Sequence, residues 1–155
     1  MSRPKSRQVS RLEDHVGYWI RFVSNRVSAS FARRLEKLDI SVSEWVVLRK
    51  LYDAQTVSPS ALGESIGMTK APVSRLVERL VRKGLIERKA SRDDGRVQEI
   101  RLSASGQQLV PKLAAIADRN DAAFFGDLPE NTRAALIAIL RQVVAQSQMN
   151  KAPVD

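Results

Sequence analysis

The 155-residue chain contains no cysteine. That absence removes disulfides, thiolate nucleophiles, thiol redox sensing and the usual thiolate zinc sites. Histidine is nearly missing as well, because His15 stands alone, and a single imidazole without sulfur partners does not make a metal site. There is no glycine-rich phosphate loop and no acidic set at metal-ligand spacing, so an enzyme would have little chemistry to use and no cofactor is implied. No apolar run approaches the roughly 18 residues of a membrane helix, and the basic stretch Met1 to Arg7 is not followed by a signal-peptide core. The expectation is a protein that stays in the cytoplasm, without a membrane partner. Acidic residues are in the minority, 17 against 26 Lys and Arg, for a formal charge of +9. Such an excess points to a polyanion.

Hydrophobic content of 43% and charged content of 28% are ordinary for a globular protein, and the length suits one compact domain. The charge is unevenly placed. From Met1 to Met68 there are 11 basic and 7 acidic residues, and from Leu102 onward 5 of each cancel. The 33 residues from Thr69 to Arg101 carry 10 basic and 5 acidic, so the electrostatic footprint lies there. The ends have some other task.

Apolar residues at Leu12, Val16, Trp19, Ile20, Val23, Val27, Phe31, Leu35 and Leu38 recur by threes and fours, the mark of one long amphipathic helix of about seven turns. Ser41 and Glu44 form a capping box for a second helix that turns Trp45, Leu48, Leu51 and Tyr52 inward. Ser58-Pro59 starts a third helix running to Ile66. Gly67 supplies a turn, Thr69 caps a fourth helix with a stripe of Val73, Leu76, Val77 and Leu80, and Gly84 ends it. Two short helices around a glycine turn outline a helix-turn-helix. The period then changes: Leu85 to Lys89 and Val97 to Leu102 read as strands flanking Ser91-Arg92-Asp93-Asp94-Gly95-Arg96, a hairpin whose tip projects Arg92 and Arg96. Ser103 caps a fifth helix, which Pro111 is expected to bend, and Leu128-Pro129-Glu130 opens a sixth bearing Leu136, Leu140, Val143 and Val144.

This order of elements, with Leu62-Gly63-Glu64-Ser65-Ile66-Gly67-Met68-Thr69, Val73-Ser74-Arg75-Leu76-Val77-Glu78-Arg79-Leu80, Lys83-Gly84-Leu85-Ile86, Asp94-Gly95-Arg96 and Leu102-Ser103-Ala104-Ser105-Gly106, resembles the multiple antibiotic resistance regulator (MarR) family of bacterial transcription factors. The resemblance runs from about Leu12 to Val144. The family often has an aspartate where Ser91 stands and an alanine where Gly63 stands. What it implies is a mainly α fold with a small β-hairpin wing: a winged helix-turn-helix over 41–103, a helical dimerisation platform from 12–40 and 104–148, and a basic arm over 1–11. It further implies a homodimer on double-stranded DNA, most often a repressor released by a small ligand. The two amphipathic end segments, which carry no charge excess, independently need a surface on which to bury their stripes.

Ser74 and Arg75 are placed to read base edges, with Thr69, Lys70 and Ala71 at the helix N-terminus toward phosphate and Arg79 farther along. A solvated helix face is the alternative for all of them. Arg96 resembles the family's minor-groove wing arginine, with Asp94 bracing it and Arg92 able to share the role. His15, Trp19, Phe22, Trp45 and Arg49 combine aromatic walls with a cation and form a candidate pocket for an aromatic or anionic effector, against the alternative that the tryptophans are core. Asn120, Asp121, Phe124 and Phe125 read as packing at the platform. Rival classes remain open: a non-specific or architectural nucleic-acid binder, a ligand-independent regulator, and a membrane-surface helix protein.

Overall fold

The protein was analysed as a computed structural model that describes residues 9–90 and 98–146. Its elements are α1 (Val16–Glu36), α2 (Val42–Ala54), α3 (Pro59–Ile66), α4 (Lys70–Arg82), β1 (Ile86–Ala90), β2 (Gln98–Leu102), α5 (Ala104–Phe125) and α6 (Glu130–Gln146). The long first helix is shorter than its apolar spacing predicts. Leu12–Asp14 is a 3-10 turn instead, and His15 breaks the run in extended conformation (φ −98°, ψ 121°). The cause is local hydrogen bonding. The Asp14 carboxylate accepts the Arg11 N–H at 3.0 Å, and His15 Nδ1 meets the Arg11 carbonyl at 2.9 Å, which draws both away from a continuous ladder.

The capping signals of Ser41, Ser58 and Ser103 hold in detail. Ser41 Oγ accepts the Glu44 N–H at 3.2 Å while the Glu44 carboxylate accepts the Ser41 N–H at 2.8 Å, the reciprocal box that starts α2. Ser58 Oγ accepts the Ala61 N–H, and Pro59 occupies the first helical position of α3. Gly67 (φ 74°) and Gly84 (φ 71°) take the left-handed conformation that closes α3 and α4. Asp39 (φ 55°) does the same for α1, with Ile40 N–H bonded to the Leu35 carbonyl at 3.2 Å and Asp39 N–H to the Glu36 carbonyl at 2.9 Å. Pro111 lies inside α5, which continues unbroken to Phe125.

β1 and β2 pair antiparallel from Ile86↔Leu102 to Ala90↔Gln98. The chain between α2 and α3 adds a short third rung, Val57 exchanging two backbone hydrogen bonds with Ile100 at 3.0 and 2.9 Å. Ser103 joins hairpin to helix: its hydroxyl donates to the Gly84 carbonyl at 2.6 Å and accepts the Gly106 N–H at 3.1 Å.

One apolar core lies at the centre of the helix-turn-helix. Val47, Leu48 and Leu51 of α2 meet Leu62 and Ile66 of α3, the α4 stripe Val73, Leu76, Val77 and Leu80, the strand residues Ile86, Ile100 and Leu102, and Val110 and Leu113 of α5. At roughly 2 kcal/mol for each fully buried aliphatic side chain, this cluster is the main source of stability for the helix-turn-helix and hairpin. Tyr52, expected inward, is exposed, and Val47 takes the interior place. Around the helix the buried face runs from Val47 through Leu51 and Glu44 to Leu48, and Tyr52 falls just beyond Leu48, outside it.

The end helices behave otherwise. Of α1 only Leu35 is buried, and α6 buries none of its described residues. Trp19, Ile20, Phe22 and Val23 on α1, and Leu136, Ile137, Ile139, Leu140, Val143 and Val144 on α6, are all exposed in the single chain, Trp19 by 50% and Ile137 by 52%. Their apolar stripes are present as predicted, but this chain does not cover them.

Candidate nucleic-acid interface

Helix α4 presents two faces. Val73, Leu76, Val77 and Leu80 are buried, whereas Thr69, Lys70, Ala71, Ser74, Arg75, Glu78 and Arg79 are exposed, the division its spacing predicts. Thr69 is the N-cap residue by position, yet its hydroxyl makes no capping hydrogen bond. Pro72, at the third helical position, has no N–H to donate, which removes one of the two amides such a cap can take. The start of α4 is thus left without its side-chain cap, and the orphan amides of a helix N-terminus are the groups that receive a phosphate oxygen.

Ser74 lies between α3 and α4, where it lines a cleft of about 420 Å³ with Pro59, Ser60, Glu64 and Lys70. Gly63 allows these helices to approach: a Cβ there would stand 3.0 Å from the Met68 carbonyl oxygen and 3.2 Å from a Val73 methyl. On the other side Ser74, Arg75, Glu78, Arg79 and Arg82 line a second groove, so three guanidinium groups run along one edge of α4. Among the described residues, only Arg79 of the three has a close acidic partner: its Nε is 3.5 Å from Glu44.

The hairpin is held to the same helix. Arg88 of β1 forms an ion pair with Glu78 of α4 at 3.2 Å, and Arg101 of β2 pairs with Glu87 of β1 at 3.0 Å. Each is an exposed pair of small individual worth, about 0–1 kcal/mol. The first ties the hairpin to α4, and the second ties its two strands to each other. Arg92, Asp94 and Arg96, the expected wing contacts, lie outside the described residues.

The residues of the candidate effector pocket fall into separate places. His15, Trp19 and Phe22 stand at the start of α1, where the Trp19 indole N–H donates to the Glu13 carbonyl at 2.9 Å and Arg26 sits 4.9 Å from the centre of the Phe22 ring. Trp45 is half-buried and packs edge-on against Phe31, with ring centres 6.3 Å apart. Arg49 pairs with Asp53 at 2.7 Å and lies over Tyr52. Trp19 does line an apolar cleft of about 490 Å³, in company with Ile20, Val23, Val27, Phe125 and Leu140. Asn120 is buried, and its Nδ2 donates to the Val27 carbonyl at 3.2 Å, pinning α5 to α1 within one chain. Phe124 is exposed beside it.

A helix-turn-helix backed by a hairpin, with a cation-lined second helix free on its outer face, defines a winged helix-turn-helix DNA-binding protein. Residues 40–97, which cover the helix-turn-helix and the first strand of the hairpin, match the family model of the MarR family. The chain is 28% identical over 106 residues to the HTH-type transcriptional repressor IacR of Pseudomonas putida, a match covering 68% of this chain and 64%, less than two thirds, of that protein. Among solved structures it is similar to a probable transcriptional regulator from Pseudomonas aeruginosa, with a TM-score of 0.76 at 28% identity over 86% of this chain and 99% of that one. The S. aureus MepR–DNA complex superposes with a TM-score of 0.76 at 26% identity, covering 85% of this chain and 98% of MepR. No helix among the described residues is long and apolar enough to cross a membrane.

Proposed function

We propose that the chain works in the cytoplasm as a homodimeric repressor, bound to a pseudo-palindromic operator and released from it by a small aromatic or anionic ligand. The observation that carries the reading is the polarity of the molecule: an uncovered apolar face on α1 and α6, and a cation-lined recognition helix on α4. An apolar surface of that extent on a soluble protein marks an interaction site. A second copy supplies the same surface in return, which is the self-complementary condition of a two-fold interface. In this reading residues 12–40 and 104–148 dimerise and 41–103 bind DNA. Two recognition helices are then held about 34 Å apart, one turn of duplex.

On DNA, Thr69, Lys70 and Ala71 meet phosphate at the start of α4, and Ser74 and Arg75 reach base edges in the major groove. Arg79 follows on the same edge, and Arg96, with Arg92 and Asp94, serves the minor groove. The similarity to a protein solved as a DNA complex supports this docking, and the name of IacR supports repression. The apolar cleft at Trp19 has the volume of a small-molecule site, for which about 300–1,000 Å³ is usual; of the five residues expected to form an effector pocket Trp19 lines it, and His15, Phe22, Trp45 and Arg49 do not. A ligand releases DNA only by preferring the recognition-helix spacing that DNA does not accept.

The test combines light scattering of the free protein with titration of carboxylic acids and phenols into the preformed operator complex. Two chains per particle and ligand-dependent release are expected. A monomer refutes the dimeric reading. Insensitivity to a broad ligand set replaces the induced repressor with a ligand-independent regulator, and equal affinity for every duplex replaces it with an architectural protein.

A further inference from the structure

Glu44 is a carboxylate with 3% of its side chain exposed, and it stands outside the surface assigned to DNA. Its place in the α2 capping box accounts for only part of what surrounds it. Accepting one backbone N–H needs an oxygen and no charge, and glutamine serves that position as well as glutamate does. Yet both Glu44 oxygens also meet cations from the last turn of α4, Lys83 Nζ at 3.1 Å and Arg79 Nε at 3.5 Å. Lys83 reaches on to Asp39, lying 3.4 Å from its carboxylate and donating to its backbone carbonyl. Asp39 is the left-handed residue that ends α1. Four ionic groups thus connect the end of α1, the start of α2 and the end of α4, around a cavity of about 520 Å³.

Stability alone does not explain the arrangement. The two cations already sit favourably at the C-terminal end of a helix dipole. A buried ion pair is often replaceable by apolar residues without loss, whereas its directional contacts fix the geometry of the elements it joins. Geometry matters here because α4 is a lever. Its 13 residues span about 18 Å, so a tilt of about 5° about the C-terminal end moves the N-terminus by about 1.6 Å. Hydrogen bonds to base edges form only within about 2.7–3.2 Å, so a displacement of that size removes them. Contacts to phosphate, held by long lysine and arginine side chains, survive it better.

We propose that Glu44, with Lys83 and Arg79, is a positioning clasp: it fixes the tilt of α4 against the corner between α1 and α2 and carries movement of the end helices to the base-reading residues. The proposal rests on the assignment of base reading to the first half of α4. The test uses the full chain and its operator, selected from random-sequence duplex. Glu44→Gln keeps the capping box and removes the charge. It is expected to lower affinity for operator tenfold or more while leaving affinity for scrambled duplex within twofold. Lys83→Gln, which leaves the box untouched, is expected to do the same, and Lys83→Arg to retain wild-type selectivity. The double variant Glu44→Gln/Lys83→Gln is expected to lose no more than either single variant. An operator-to-scrambled ratio unchanged in Lys83→Gln overturns the clasp, even if Glu44→Gln fails to fold. If the wild-type chain prefers no duplex, the base-reading assignment falls, and the clasp is judged on denaturation midpoints. Strictly additive shifts in the Glu44–Lys83 cycle then overturn it.

Discussion

Gly106→Ala separates packing from propensity at the joint between wing and α5. Gly106 is buried in the first turn of α5, where its N–H is held by the Ser103 hydroxyl at 3.1 Å. A Cβ on it would stand 2.2 Å from the Leu85 carbonyl oxygen and 3.2 Å from a Leu102 methyl. Ordinary contact begins at 3.4 Å, so backbone must give by about 1.2 Å. That oxygen is not free to move, because it accepts the Ser103 N–H at 3.0 Å, and Leu85 itself closes α4 by bonding to the Leu80 carbonyl at 3.0 Å. Overpacking costs about 1–3 kcal/mol and a weakened hydrogen bond about 1 kcal/mol more. Alanine returns at most about 1 kcal/mol of helix propensity. The net loss is about 1–3 kcal/mol, a fall in Tm of roughly 2–12 °C at this chain length. Circular dichroism during heating measures it, and DNA affinity should drop alongside because Leu85 leads into β1. An unchanged or higher Tm refutes the packing argument.

Other consequences are direct. Arg75→Ala should lose about 1–3 kcal/mol of binding and relax preference at one base position, read by competition with single-base operator variants; equal losses on all duplexes reassign Arg75 to phosphate. Arg96→Ala should weaken binding mainly where the operator flanks are A·T-rich, where the minor groove is narrow, and insensitivity to flank composition counts against groove insertion. Leu140→Asp, on the uncovered face of α6, should give a folded monomer in sedimentation experiments; a dimer of undiminished affinity would place the interface elsewhere.

Local signals were readable without the structure. Ser41-Glu44, Ser58-Pro59, Gly67, Gly84 and Ser103 each act through atoms a few residues away, so the caps and turns they predict stand in the structure. The α4 stripe was legible for the same reason. Where neighbours competed for the same groups, periodicity misled: His15 and Asp14 hold the backbone around Arg11 and start α1 four residues late. Thr69 makes no side-chain cap, and Pro72 withholds one of the two N–H groups it could take, a conflict visible in the sequence once both positions are counted from the helix start. The second role of Glu44 had no sequence signal. Its partners Arg79 and Lys83 are 35 and 39 residues away, and only the fold brings them to it.

If a pair of α4 helices reads one operator, selection from a random duplex library by the 155-residue chain will reveal it. The expected result is an enriched inverted repeat with half-site centres about 10–10.5 base pairs apart, bound roughly 10³-fold or more tighter than scrambled duplex at matched salt. An unenriched library, or a single half-site bound by one chain, would contradict it.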